Sequence, residues 1–150
     1  MKPLIVLIVS FAISCLAFYA AQHDPHIILS GRIAMALMLL FTSVAHFAFF
    51  KGMLMTVPPF IPFKNFMVYF TGVLEVAAAV GLMFTATHYI TGLMLILFFI
   101  ALIPSNIYTA QNHINLEKAD YTGKGLSYLW FRIPLQLFFI GWVVYFAVLN

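Results

Sequence analysis

The sequence predicts an all-α integral membrane protein with five transmembrane helices. Hydrophobic residues make up 65% of the 150 residues and charged residues only 7%, whereas a soluble domain carries about 25% charged residues. Five apolar stretches are each about as long as the twenty residues that cross a bilayer core. Because a helix satisfies its own backbone hydrogen bonds inside hydrocarbon, we expect each stretch to be helical.

The first two spans are predicted at Pro3–Ala21 and Ile33–Phe50, joined by a short polar connection at residues 22–30. The first stretch resembles a signal peptide in length. Cleavage after Ala20 would place Phe18 where the cleavage site needs a small residue, so an uncleaved helix is favoured.

Residues 52–65 are apolar but contain Pro58, Pro59 and Pro62. Proline removes a backbone donor and clashes with the preceding helical turn, so this segment is not a regular transmembrane helix. We expect an interfacial or shallow re-entrant loop.

The third and fourth spans are predicted at Phe66–Thr85 and Tyr89–Tyr108, separated by a tight turn. A polar loop at residues 111–127 precedes the fifth span, Tyr128–Leu149. The fourth and fifth spans each contain a proline, which frees a carbonyl group inside the helix.

The distribution of positive charge predicts the orientation in the membrane. With the N-terminus in the cytoplasm, the lysines all fall on the cytoplasmic side and Arg32 falls outside, as the positive-inside rule requires. We therefore predict an N-in, C-out topology. The scattered cations form no basic stripe, which argues against a nucleic-acid partner. The cytoplasmic lysines are Lys2, Lys51, Lys64, Lys118 and Lys124.

A carboxylate, Glu75, occupies the middle of the third span. Placing an acidic residue there costs roughly 2.5 to 3.5 kcal/mol on insertion scales. Glu75 should therefore face protein or water, find a partner or take up a proton. It is the strongest single indication of a polar site in the sequence.

Four further polar residues are predicted at the same half of the membrane as Glu75. At about 1.5 Å per residue, Glu75 lies about 13 Å from the cytoplasmic end of its span, and the others lie within about 12 Å of that end. We expect Arg132 to be the counter-ion of Glu75, because a guanidinium holds a carboxylate by two parallel hydrogen bonds. The outer half is predicted to hold no comparable cluster. The candidate site is His46, Glu75, Asn106, Arg132 and Gln136.

Two alternatives stay open for this cluster and its surroundings. A buried Glu–Arg pair can simply fix the register of a helical bundle, and His46 by itself is more often a packing residue. His23, Asp24 and His26 in the outer loop are solvated residues rather than a metal site, so no metal site is predicted. The single cysteine, Cys15, excludes an intrachain disulfide and a cysteine-ligated cluster.

A series of short motifs resembles the DoxX family of small membrane proteins, in the same order and at similar spacing. The resemblance covers about Ile33–Phe146 and implies a four-helix membrane bundle, residues 30–150, preceded by an added helix and outer loop, residues 1–29. It also implies a multi-pass protein of the bacterial inner membrane. The motifs are His46-Phe47, the Pro59–Pro62 loop, Thr71-Gly72 with Glu75, Gly81-Leu82, Pro104-Ser105-Asn106-Ile107, Arg132-Ile133-Pro134-Leu135-Gln136 and Trp142.

The sequence leaves two functional hypotheses. In the first, the protein is a redox-associated accessory subunit or binds a small amphipathic ligand such as a quinone, with no enzymatic activity of its own. His46 and Arg132 would donate hydrogen bonds, and Glu75 would accept or relay a proton. In the second, it is a non-enzymatic scaffold or assembly factor whose buried Glu–Arg cluster is structural. The expected partners are the lipid bilayer, a membrane oxidoreductase or another protein, and a second copy of the chain.

Overall fold

A computed structural model describes residues 2–150, which form seven α-helices and a final π-helical turn. Between residues 2 and 150 there is no β-strand, only one isolated antiparallel bridge, which joins Asn115 and Asp120. The helices are α1 (Lys2–Gln22), α2 (Ile27–Ala48), α3 (Phe50–Thr56), α4 (Lys64–Gly81), α5 (His88–Ala101), α6 (Ile103–Gln111) and α7 (Leu126–Val143), followed by the π-turn (Val144–Val148).

Four helical segments are long and apolar enough to cross a membrane. They are α1, α2, the combined segment His88–Gln111 formed by α5 and α6, and Leu126–Val148, formed by α7 and the π-turn. Helix α4 has 18 residues and carries both Lys64 and Glu75, and it is not among the four. The all-helical prediction is confirmed, and the four apolar segments indicate a membrane protein.

Helix α2 lies at the centre of the molecule and packs against α1, α4 and the π-turn. Its side chains Met35, Met38 and Leu39 are at most 1% exposed and form the middle of the core. Leu7 of α1 and Val143 of α7 complete this core from opposite sides. Large apolar side chains also cover much of the outer surface, as expected for helices that face lipid.

The prolines have different effects on the helices. Pro58, Pro59 and Pro62 lie between α3 and α4, as the predicted loop requires, and Pro134 lies inside α7. Pro104, which lacks an N–H group, lies in the first turn of α6 and separates α6 from α5 at Leu102. The predicted loop at residues 52–65 begins as the short helix α3. The Ser105 hydroxyl donates to the carbonyl of Thr56 over 2.8 Å and so fixes α3 against α6.

Contacts between helix ends define two ends of the bundle. At the lysine-rich end (Lys2, Lys51, Lys64, Lys118 and Lys124), an ion pair between Lys2 and Glu117 joins the start of α1 to the loop after α6. At the opposite end, the start of α2 and the start of α5 contact the backbone of the π-turn through Arg32 and His88. The end of α2 meets the start of α4 where His46 contacts Val68, so α1, α2, α4, the α5–α6 segment and α7 alternate in direction along the chain.

The loop at the lysine-rich end is a compact hairpin between α6 and α7. The N–H of Asn115 donates to the carbonyl of Asp120 over 2.8 Å. The hydroxyl and N–H of Thr122 donate to the Asp120 carboxylate over 2.6 and 3.0 Å. The hydroxyl bond, followed by the N–H bond, lowers the pKa of Asp120 below its ordinary value. Gly125 ends the hairpin with a φ of 67°, a conformation that suits glycine.

Candidate functional site

The structure pairs Glu75 of α4 with His46 of α2. The Nε2 atom of His46 lies 3.6 Å from Oε2 of Glu75, and the two side chains are 12% and 7% exposed. Gly72, one turn before Glu75, makes this approach possible, because a Cβ atom there would lie only 3.0 Å from the Cβ of His46. The pair is therefore enclosed where α2 and α4 pack most closely.

Hydrogen bonds to the backbone of α4 fix the other side of the His46 ring. Nδ1 of His46 lies 3.0 Å from the carbonyl oxygen of Val68 and 3.2 Å from the hydroxyl of Thr71. A carbonyl oxygen only accepts, so Nδ1 must carry a hydrogen and donate it. The hydroxyl of Thr71 itself donates to the carbonyl of Met67 over 2.8 Å. The ring orientation and tautomer of His46 are thus set by α4.

This tautomer determines which atom His46 presents to Glu75. With a hydrogen on Nδ1, a neutral His46 presents a lone pair at Nε2 toward the carboxyl group of Glu75. Two acceptors that face each other in a buried site repel, so a hydrogen-bond donor beside them is favoured.

One atom of the pair has an unmet hydrogen-bonding requirement. Among residues 2–150, Oε2 of Glu75 is the buried side-chain polar atom that has no hydrogen-bond partner. The 3.6 Å separation from His46 is too long for a good hydrogen bond. An unsatisfied buried acceptor costs about 1 to 3 kcal/mol, so this oxygen favours an added donor.

Asn106 and Gln136 form a second polar group between α6 and α7. The amide nitrogen of Asn106 donates to the side-chain oxygen of Gln136 over 2.5 Å. The amide nitrogen of Gln136 donates over 2.5 Å to the carbonyl of Phe99, next to the break between α5 and α6. Gln136 thus bonds the carbonyl of Phe99, whereas the carbonyl that Pro104 leaves without its helical donor is that of Ile100, four residues before it.

Arg132 does not hold Glu75, which corrects the predicted counter-ion. Its Nη1 atom donates to the hydroxyl of Tyr128 over 3.1 Å, and its guanidinium carbon lies 5.4 Å from the centre of the Tyr128 ring. The Arg132 side chain reaches toward the start of α7, because side chains in a helix lean toward its N-terminus. The five predicted residues therefore separate into the close His46–Glu75 pair, the hydrogen-bonded Asn106–Gln136 pair, and Arg132, which is bonded to Tyr128.

The opposite end of the bundle contains a polar group that sequence reasoning missed. Arg32 is 8% exposed, and its Nε donates to the carbonyl of Phe146 over 2.8 Å while Nη2 donates to that of Asn150 over 2.5 Å. The backbone carbonyl of Gly31 accepts from the indole nitrogen of Trp142 over 3.0 Å. No cluster was predicted at this end. The available signal was Arg32 itself, a cation directly before the predicted second span, which the structure places inside α2.

The residues present offer little to a metal ion. Within residues 2–150, no three His, Cys, Asp or Glu side chains come together as a metal site would need. His46 and Glu75 supply two such groups, and the hydrogen on Nδ1 of His46 leaves only Nε2 as a potential ligand. The arrangement is better suited to hydrogen bonding and proton exchange.

Comparison with known proteins gives one match. The model of a family described as a domain of unknown function (DUF8561) matches residues 35–147. The matched residues include the His46–Glu75 and Asn106–Gln136 pairs and exclude α1. No curated protein and no solved structure matches the chain. The predicted membership of the DoxX family is wrong, because the matching family is a different one.

Proposed function

Because the chain belongs to the DUF8561 family, a domain of unknown function, we propose its function from the site itself. The His46–Glu75 pair binds the polar head of a small amphipathic, quinone-like ligand inside the membrane, and the protein acts as a binding or accessory subunit. The observation that carries this proposal is the buried Oε2 of Glu75, which has no hydrogen-bond partner.

The proposal includes five membrane spans, which are the four most apolar segments and the less apolar helix α4. Its 18 residues correspond to about 27 Å, close to the roughly 30 Å of a hydrocarbon core. The alternating direction of the helices supports this reading. Since the lysines lie at one end and Arg32 at the other, the lysine-rich end is cytoplasmic and the topology is N-in, C-out.

The pair lies between the middle of α4 and the lysine-rich end of α2. His46 lies two residues before α2 ends, and Glu75 lies eleven residues after α4 begins. The Glu75 side chain leans back toward the start of α4, which brings the carboxyl group nearer to the lysine-rich end. A ligand head at this depth can have its apolar tail among the helices or in lipid.

The hydrogen-bonding groups of the pair suit both redox forms of a quinone. When one of the two groups carries a proton toward the ligand, it donates a hydrogen bond to a quinone carbonyl, which can only accept. When the ligand is the hydroquinone, its hydroxyl group donates to the unpartnered oxygen of Glu75. Either complex removes the cost of the unsatisfied acceptor.

Equilibrium binding of decylubiquinone to the purified protein in detergent tests this function. Glu75→Gln removes the proton exchange but keeps the shape of the side chain, and we expect it to weaken binding at least tenfold. Glu117→Gln is the matched control, because the same chemical change falls on a carboxylate of the exposed hairpin. Unchanged affinity in Glu75→Gln would refute the proposal.

A structural role is the second candidate, and the contacts between α2 and α4 favour it. The bonds from His46 to Val68 and Thr71 join the two helices. As a scaffold, the protein would lose stability in His46→Gln and in Glu75→Gln, and the double variant would lose less than the sum. Strong coupling of this kind without quinone binding would favour the scaffold over the ligand-binding function.

A further inference from the structure

Arg132 is directed toward the surface of the membrane at the lysine-rich end. Its guanidinium bonds Tyr128, which lies two residues after α7 begins. Long cationic side chains extend in this way so that the charge reaches the headgroup region while the stem stays in apolar surroundings. The charge of Arg132 therefore lies near the level of the lipid phosphates.

This cation has unused hydrogen-bonding capacity. The ion pairs formed among residues 2–150 are Lys2–Glu117 and His46–Glu75, so Arg132 has no carboxylate partner there. Tyr128 accepts from one nitrogen of a group that has five N–H donors. Among residues 2–150, the buried side-chain nitrogen or oxygen atom without a hydrogen-bond partner is Oε2 of Glu75. The nitrogens of Arg132 that make no hydrogen bond are therefore not buried.

An apolar groove of about 330 Å³ lies between α1 and α7, and its lining includes Phe131, the residue next to Arg132 in the chain. The groove follows α7 from Trp130 to Phe138, eight residue steps or about 12 Å, a length that suits part of an acyl chain. Phe131, which lines the groove, stacks on the Tyr128 ring with centroids 6.4 Å apart. The groove is lined by Leu4, Trp130, Phe131, Pro134, Leu135 and Phe138.

We propose that Arg132 binds the phosphate of an anionic phospholipid whose acyl chain occupies this groove. A guanidinium matches the geometry of phosphate oxygens with two parallel hydrogen bonds. Lys124, two residues before α7 begins, adds to the positive potential that attracts an anionic headgroup. A cation beside an apolar groove complements a molecule with a charged head and an apolar tail. This inference does not depend on the ligand of the His46–Glu75 pair.

Native mass spectrometry of the detergent-purified full chain tests the lipid site. Dioleoylphosphatidylglycerol and dioleoylphosphatidylcholine are added in equal amounts, and the lipid-bound fraction is compared between variants. We expect the wild type to retain the anionic lipid preferentially and Arg132→Gln to retain at least fivefold less of it. Lys64→Gln removes one charge from the start of α4, which does not line the groove, and should retain most of the lipid.

A second variant and a competitor keep the test decisive if Arg132→Gln folds poorly. Leu4→Trp leaves the charges intact but fills the groove, and we expect it to lose the bound lipid as well. The site is overturned if Arg132→Gln or Leu4→Trp binds as the wild type does, or if the two lipids bind equally. Displacement of the lipid by equimolar inorganic phosphate would show that a free anion is the ligand and would also overturn it.

Discussion

Replacement of Arg32 by methionine tests how the last helix is fixed to the bundle. The guanidinium donates to the carbonyls of Phe146 and Asn150 over 2.8 and 2.5 Å. Methionine has a similar length and no donor, so the variant removes both hydrogen bonds while filling much of the same space. The carbonyl of Phe146 would lose this donor in a buried environment.

The expected loss follows from these two contacts. Hydrogen bonds to a charged group contribute about 1.5 to 3 kcal/mol each, and the bond to Asn150 belongs at the low end because that residue is exposed. Removing a buried cation also removes its desolvation cost, which offsets part of the loss. We expect Arg32→Met to lower the free energy of unfolding by about 2 kcal/mol, about a 30-fold change in the unfolding equilibrium.

Unfolding of the detergent-solubilised protein by increasing amounts of sodium dodecyl sulfate measures this loss. Arg132→Met is the matched control, because the same substitution removes one hydrogen bond, to Tyr128, and a contact with its ring. We expect the control to lose less than Arg32→Met does, because Arg132 and Tyr128 are only half-buried. Equal stability of Arg32→Met and the wild type, or an equal loss in both variants, would refute the reasoning.

Two further predictions concern the other polar groups. Gln136→Leu leaves both the Asn106 amide and the Phe99 carbonyl without their partner. We therefore expect a loss of about 2 to 4 kcal/mol in the free energy of unfolding in the same assay. A double variant, Asn106→Leu with Gln136→Leu, that loses the full sum of the two single losses would contradict this. Thr122→Val removes the strongest bond that lowers the pKa of Asp120, so that pKa should rise toward its ordinary value in a carboxyl NMR titration. Because the pKa of Asp120 is lower in the folded state than in the unfolded state, Asp120 stabilises the fold above its unfolded-state pKa, and this stabilisation is lost as the pH falls through its folded-state pKa. An unchanged pKa of Asp120 in Thr122→Val would contradict the assignment.

The helical segments were predictable because hydrophobic length acts locally. The division of the predicted span Tyr89–Tyr108 into α5 and α6 at Pro104 was not predicted. The end of α4 at Gly81 was not predicted either, since the residues up to Thr85 remain apolar. The backbone there turns where the hydroxyl of Thr87 donates to the carbonyl of Gly81, a contact between residues on either side of the turn.

Which residues pair within the site depends on the side of its helix on which each residue lies. The depth of a residue in the membrane does not give that side. Counting residues places Glu75 and Arg132 in the same half of a span. The partner is instead decided by Gly72, which lets the α2 backbone approach α4 so closely that His46 reaches Glu75. Arg132 leans toward the start of its helix and away from that depth. Its separation from Glu75 follows from this direction.

The resemblance to the DoxX family shows a similar limit. Its motifs combine prolines, glycines, a carboxylate and an arginine at span-length spacing, features that many membrane bundles share because they solve the same packing and hydrogen-bonding problems. The family match to DUF8561 rests on residues 35–147 as a whole. Short polar motifs in apolar helices therefore identify a candidate site better than they identify a family.

The most direct test of the His46–Glu75 site is native mass spectrometry of the protein taken from its own membrane, with the wild type beside Glu75→Gln. We expect the wild type to carry a bound molecule of quinone mass and the variant to have lost it. The same bound molecule on both proteins would contradict the assigned role of Glu75. A wild type that carries no such molecule, and is recovered instead with a protein partner, would contradict ligand binding and favour the scaffold.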